Sequence, residues 1–151
     1  METIAQLDRL DYSGDRVREH TAEVVNARID NLTRSSIDGT IAHGRDAIVR
    51  RLAMLDREWD IDRALFVNFG VAGAVTSSIG FYRFLRRPIL GLFGRRRKGV
   101  LGLFGVQLAF LFIHGTIGWC PPVSLFRRLG FRTQREIGSE RQALQTALAT
   151  G

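Results

Sequence analysis

The 151 residues carry 22 Lys and Arg against 15 Asp and Glu, and this formal charge of +7 is spread unevenly: residues 1–62 hold 9 Arg and 13 acids, residues 63–151 hold 12 Arg, one Lys and 2 Glu. Clustered arginines invite a nucleic-acid reading, but these cations flank apolar runs and no nucleic-acid-binding motif accompanies them, so lipid headgroups are the expected partner and nucleic acid is not. A single cysteine, Cys120, excludes an intrachain disulfide and a multi-cysteine zinc site.

The chain opens with the acidic Met1-Glu2-Thr3, so no cleavable signal peptide is expected. The first dozen residues have little periodicity and are expected to fray. From Asp15, the apolar positions Val17, Val24, Val25, Ile29 and Leu32 recur at helical spacings. Residues 35–44 are small and polar, with Asp38-Gly39 as a turn signal, and predict a break. The pattern returns with Ile48, Leu52, Leu55 and Trp59 on one face. That face fits either a helix packed on its predecessor or a helix lying on a membrane, with Trp59 in an interfacial aromatic belt.

Residues 64–82 and 100–120 are uncharged and almost wholly apolar. At 1.5 Å per residue they make helices of about 28 and 31 Å, which matches a hydrocarbon core of about 30 Å. Asn68, Gln107 and His114 are too sparse to give either a polar face. Gly70, Gly73, Ala74, Ser77 and Ser78 in the first run, and Gly102, Gly105 and Ala109 in the second, place small residues three and four apart. Such faces let helices approach closely in lipid.

The connection, residues 83–99, contains Arg83, Arg86, Arg87, Arg95, Arg96, Arg97 and Lys98 and no acid, which predicts contact with anionic headgroups. Pro88 interrupts it, and Leu90-Gly91-Leu92-Phe93-Gly94 recurs as Leu101-Gly102-Leu103-Phe104-Gly105, too short a repeat to define an architecture. Pro121 and Pro122 are expected to stop the second span. A short amphipathic piece, residues 125–129, then runs to a capping Gly130, and Thr133-Gln134-Arg135-Glu136 is a capping-box pattern opening a final polar helix to about Leu148.

The catalytic inventory is thin. His20, His43 and His114 have no metal-ligand spacing, and no phosphate-binding glycine loop is present. Glu58, Asp60 and Asp62 lie between Arg57 and Arg63, as a solvated, partly paired cluster would. His114 and Cys120 are six positions apart, about 240° around a helix, so they form no dyad. His114 is expected to hydrogen-bond across to the first span, with Asn68 or a serine as its partner. Cys120, at the carboxy-terminal end of a span, is in a position that disfavours a thiolate.

At Gly118-Trp119-Cys120-Pro121-Pro122, followed by Phe126-Arg127-Arg128-Leu129-Gly130-Phe131-Arg132-Thr133, the chain resembles the YgaP-like transmembrane domain family of small bacterial inner-membrane proteins. Asn26-Ala27-Arg28-Ile29 and Asp56-Arg57-Glu58-Trp59-Asp60-Ile61-Asp62-Arg63 look like the amino-terminal extension of some members, so the resemblance covers roughly residues 20–148. It implies a helical hairpin that can dimerise. The sulfur transfer of the rhodanese domain associated with that family does not carry over, because the first 60 residues hold no cysteine and read as helices.

The expected architecture is therefore all-α: a soluble helical region over residues 1–62, a two-span transmembrane hairpin over 63–122, and an amphipathic and polar tail over 123–151. Flanking cations number ten at the ends against seven in the connection, a narrow balance toward cytoplasmic ends, and the resemblance implies the same side and a bacterial inner membrane as the expected location. The expected function is a non-enzymatic module that self-associates, as a homodimer, or scaffolds a partner membrane protein, without a cofactor or metal. The alternative is an accessory of sulfur or thiol metabolism using Cys120 as a persulfide or redox thiol.

Overall fold

A computed structural model describes residue 12 and residues 14–86 and 95–150; the expected frayed start, Arg87, Pro88 and the first copy of the Leu-Gly-Leu-Phe-Gly pentapeptide lie outside the described residues. Every regular element among the described residues is a helix: α1 Arg16–Glu19, α2 Glu23–Ala42, α3 Arg45–Leu55, α4 Ile61–Arg86, α5 Arg95–Ile117, α6 Pro121–Arg128 and α7 Gln134–Thr150.

The helix expected from Asp15 is divided. Asp15 caps α1 by accepting from the Arg18 N–H at 3.2 Å, and the Asn26 side chain donates to the Arg18 carbonyl at 3.0 Å, which closes α1 one turn after it starts. The break expected over residues 35–44 falls only at the end of that range, at His43 and Gly44, and α2 runs unbroken to Ala42. Ile37 is fully buried, and the Ser36 hydroxyl donates to Glu140 at 2.9 Å, so packing of one face outweighs the weak helix propensity of Ser35, Ser36, Asp38 and Gly39. The chain turns instead at Gly44, whose φ of +82° suits glycine.

Helix α3 does not lie on a membrane by its apolar face. Ile48 and Leu55 are buried, and with Ile37 of α2 and Ile137 and Leu144 of α7 they form one core, against which Leu52 also packs. The carboxy-terminal helix is thus the third member of a bundle with α2 and α3. Trp59 lies beyond α3 in the link to α4, where the Arg63 guanidinium stacks over its ring at 4.7 Å.

Helix α4 begins at Ile61, earlier than expected, and extends beyond Tyr82 to Arg86; α5 ends at Ile117. Pro121 and Pro122 do not terminate α5. They open α6, where a missing N–H costs nothing because the first amides of a helix have no intrahelical partner. The stop is made by Gly118, at φ +78°, whose N–H bonds to the His114 carbonyl at 2.8 Å. A second core gathers here: Val17, Ile61, Leu65, Cys120 and Val123 are buried together, with Phe69, Phe110, Phe126 and Phe131 around them. It joins α1, the start of α4, the end of α5 and α6.

Candidate functional site

Two features stand out: the exposed sides of α4 and α5, and a charged joint beside the bundle. Ile61–Tyr82 and Gly99–Ile117 are long and apolar enough to cross a membrane. Only 17% and 6% of their most apolar stretches are buried within the protein. A core helix of a soluble protein buries its apolar surface against neighbours; these two expose Phe66, Val71, Leu108 and Phe112.

The helices touch along one seam whose contacts step in opposite directions along the two chains. Asp62 Oδ1 lies 2.8 Å from His114 Nε2, the Thr76 hydroxyl lies 3.4 Å from Gln107 Oε1, and a methyl group placed on Gly73 or Gly80 would meet Phe104 at 3.8 Å or Val100 at 3.6 Å. Of the small residues singled out in the sequence, only Gly73 is thus shown against the facing helix. Gly70, Gly102 and Gly105 have open space where a side chain would be, and Ala74, Ser77 and Ala109 are exposed. Asp62 with His114 and Thr76 with Gln107 add polar contacts to the seam beside Gly73 and Gly80.

His114 does bond across to α4, but to Asp62 rather than Asn68 or a serine; Asn68 is exposed. Its Nδ1 has no hydrogen-bond partner among the described residues. A cleft of about 380 Å³ opens beside this pair, lined by Arg16, Phe66, Thr133 and Arg135 among others.

Of the candidate headgroup cations, Arg83 and Arg86 fall on the last turn of α4, and Arg95, Arg96, Arg97 and Lys98 on the first turn of α5. At the opposite end, Arg16 Nη1 donates to the Thr116 carbonyl at 2.7 Å and to the Gly115 carbonyl at 3.3 Å, satisfying acceptors that the end of α5 leaves open. Gly118 permits this approach, since a Cβ there would lie 2.6 Å from Arg16 Cβ and 2.8 Å from its carbonyl carbon.

Cys120 is not at the end of α5. It occupies the position before α6, with an extended backbone, and it is fully buried. A helix amino terminus favours a thiolate, but burial pushes the thiol up from its ordinary range, and the nearby Val123 N–H only partly opposes this. The sulfur packs as an apolar atom among Val17, Ile61 and Leu65.

The joint itself rests on two fully buried carboxylates one turn apart on α7. Glu136 accepts from Arg127 Nη1 at 2.6 Å and Nη2 at 2.7 Å, from the Thr133 N–H at 2.8 Å, and from Arg18. The Thr133 hydroxyl accepts from the Glu136 N–H at 3.2 Å, so the expected capping box is present, and the same hydroxyl donates to Asp15 at 2.6 Å. Glu140 accepts from Arg51 Nε at 2.7 Å, from Ser36, and from Arg132, which also forks onto Glu58 at 2.7 Å through Nε and Nη2. Burial pushes both carboxyls upward, but Arg127 overcomes it at Glu136, and Arg51 with Arg132 at Glu140, so both titrate below the ordinary carboxylate range. Arg18 also pairs with Asp30 at 2.9 Å and lies 3.9 Å from the Tyr12 ring centre, where burial pushes the phenol up to about 12.

The three acids before α4 thus take three separate roles: Glu58 pairs with Arg132, Asp60 caps α4 by accepting from the Arg63 N–H at 2.7 Å, and Asp62 meets His114. None forms an acid/base pair with another. Among the described residues there is no group of three His, Cys, Asp or Glu able to hold a metal ion. Sequence reasoning missed two sets, Arg18 and Arg127 on Glu136, and Arg51 and Arg132 on Glu140. One signal was available: Glu136 and Glu140 are the only acids after Asp62, four apart on one helix.

No protein-family model, curated protein or solved structure matches the chain.

Proposed function

We propose that the chain is an integral membrane protein of the bacterial inner membrane, in which α4 and α5 form a two-span hairpin and both ends lie in the cytoplasm. The observation that carries this reading is the exposure of two full-length apolar helices, which water would not tolerate and lipid requires. The resemblance to the YgaP-like family supports the orientation; the count of cations at the ends does not, because Arg51, Arg127 and Arg132 are consumed by Glu136 and Glu140.

The same reading assigns a non-enzymatic role: a membrane module that presents its three-helix bundle at the cytoplasmic surface and self-associates through its spans. Gly70, Ala74 and Ser77 on α4 and Gly102, Gly105 and Ala109 on α5 support it, because the seam between α4 and α5 leaves them uncovered. Small residues on a lipid-facing helix allow a second copy to approach closely. The basic turns around the connection fit anionic headgroups on the far side.

Crosslinking in native membranes tests this. Gly70→Leu with Ser77→Leu should lower the yield of crosslinked dimer and leave the protein resistant to alkaline carbonate extraction, whereas Gly73→Leu should disturb the seam within one chain. Undiminished dimer yield in the Gly70 and Ser77 pair would refute self-association through this face, and extraction of the unmodified protein into the supernatant would refute the membrane assignment.

A further inference from the structure

Helix α6 and its cap residue Leu129 expose an apolar stripe, Leu125 and Leu129, that neither buried core includes. Three residues separate the helix from the end of α5, and it packs on α4. One side is consumed: Val123 and Arg127 are each 1% exposed, Val123 in the core with Ile61 and Leu65, and Arg127 bonded to Glu136 and to Asn26 of α2. At 100° per residue, Leu125 and Leu129 lie about 160° and 200° around from Arg127, and so point away from the bundle. They are 58% and 66% exposed, with the exposed Arg128 between them in sequence. Trp119, in the link between α5 and α6, is 37% exposed.

The occupant of that stripe follows from where α6 sits. Its neighbours Ile61 and Leu65 are the first turns of the apolar run of α4, and Phe110 of α5 packs on the same core, so α6 lies at the level where both long helices pass out of their apolar stretch. The bundle takes the side bearing Arg127. We propose that α6 is an interfacial membrane helix, which lays Leu125 and Leu129 into the acyl boundary of the bilayer, keeps Arg128 at the headgroup phosphates, and holds the bundle against the membrane surface through the pair of Arg127 and Glu136. A short amphipathic helix with leucines on one side and arginine at its flank is suited to that boundary. The proposal rests on the reading of α4 and α5 as spans.

Full-length protein in phosphatidylethanolamine–phosphatidylglycerol vesicles provides the test. Single cysteines replace Leu125, Leu129, Val71 of α4 and Asp46 at the far end of the bundle, in a Cys120→Ala background, and each carries an environment-sensitive fluorophore. Probes at 125 and 129 should emit at shorter wavelength than the probe at 46, be quenched by lipids brominated near the headgroup, and be quenched by aqueous iodide several-fold less than the probe at 46. If the probe at 71 is quenched by brominated lipid while those at 125 and 129 meet iodide as freely as the probe at 46, the proposal is overturned and the spans stand. Protection from iodide without quenching by lipid, together with disulfide formation between copies of Leu129→Cys, would assign the stripe to a second copy and likewise overturn it. If the probe at 71 escapes lipid quenching, the spanning reading fails and this proposal fails with it.

Discussion

Replacing Arg127 by methionine removes the guanidinium that holds α6 to α7. Arg127 is 1% exposed and places two nitrogens 2.6 and 2.7 Å from Glu136, which is itself fully buried. After the change Glu136 retains Arg18 and the Thr133 N–H, while the Asn26 side-chain oxygen and the Phe131 carbonyl lose donors at 2.7 and 3.1 Å. Breaking a buried pair by deleting one partner costs about 3–5 kcal/mol. For a chain of this size that corresponds to a fall of roughly 6–20 °C in melting temperature. Arg127→Met with Glu136→Met should recover part of the loss, because Arg18 keeps Asp30 and an apolar pair needs no solvation. Denaturation of the detergent-solubilised protein, followed by Trp59 and Trp119 fluorescence, measures both. A cost below about 1 kcal/mol for the single change, or a double variant as unstable as the sum of the two singles, would refute the reasoning.

Because Glu136 and Glu140 titrate below the ordinary carboxyl value of 4.5, the stability they contribute is complete above that pH and is lost as pH falls through their lower folded-state values. The denaturant midpoint should therefore be level from about pH 7 to 5 and fall below about 4.5, and a midpoint that stays level to about pH 3 would contradict the pairing. Gly118→Ala combines a left-handed backbone with a Cβ 2.6 Å from Arg16 Cβ, so it should destabilise by about 2–5 kcal/mol; a loss under about 1 kcal/mol would show that α1 does not press on the end of α5. Cys120 should react with a small neutral reagent well below the rate of free cysteine at neutral pH and reach that rate on unfolding, since burial both shields the sulfur and raises its pKa; prompt labelling of the folded protein would contradict the packing described.

How much was legible depended on how local the cause is. The apolar stretches of α4 and α5 can be read directly, because length and composition alone make a helix long and apolar enough to cross a membrane. The capping box of Thr133 and Glu136 is equally local, confined to four residues. The continuity of α2 through Ser35, Asp38 and Gly39 is not local: it depends on Ile37 packing against α3 and α7 and on Ser36 meeting Glu140, 104 positions away. Arg127 and Arg132 look like membrane-flanking cations in the sequence and are instead buried with Glu136 and Glu140. The small-residue faces were recognisable, but which side of each helix meets the other is settled by the Asp62–His114 contact and by Gly73, Thr76 and Gly80 on α4 against Val100, Phe104 and Gln107 on α5. Cys120 was assigned to the wrong helix end because Gly118, not the proline pair, stops α5.

The central claim is that two antiparallel spans carry the bundle on one side of the membrane and the basic connection on the other. Labelling by an impermeant thiol reagent, in intact cells and after permeabilisation, tests it with single cysteines at Asp46 of α3 and Arg95 at the start of α5. The account predicts that Arg95→Cys labels in intact cells and Asp46→Cys only after permeabilisation. Labelling of both from the same side would contradict the two-span arrangement, and labelling of Asp46→Cys alone in intact cells would invert it.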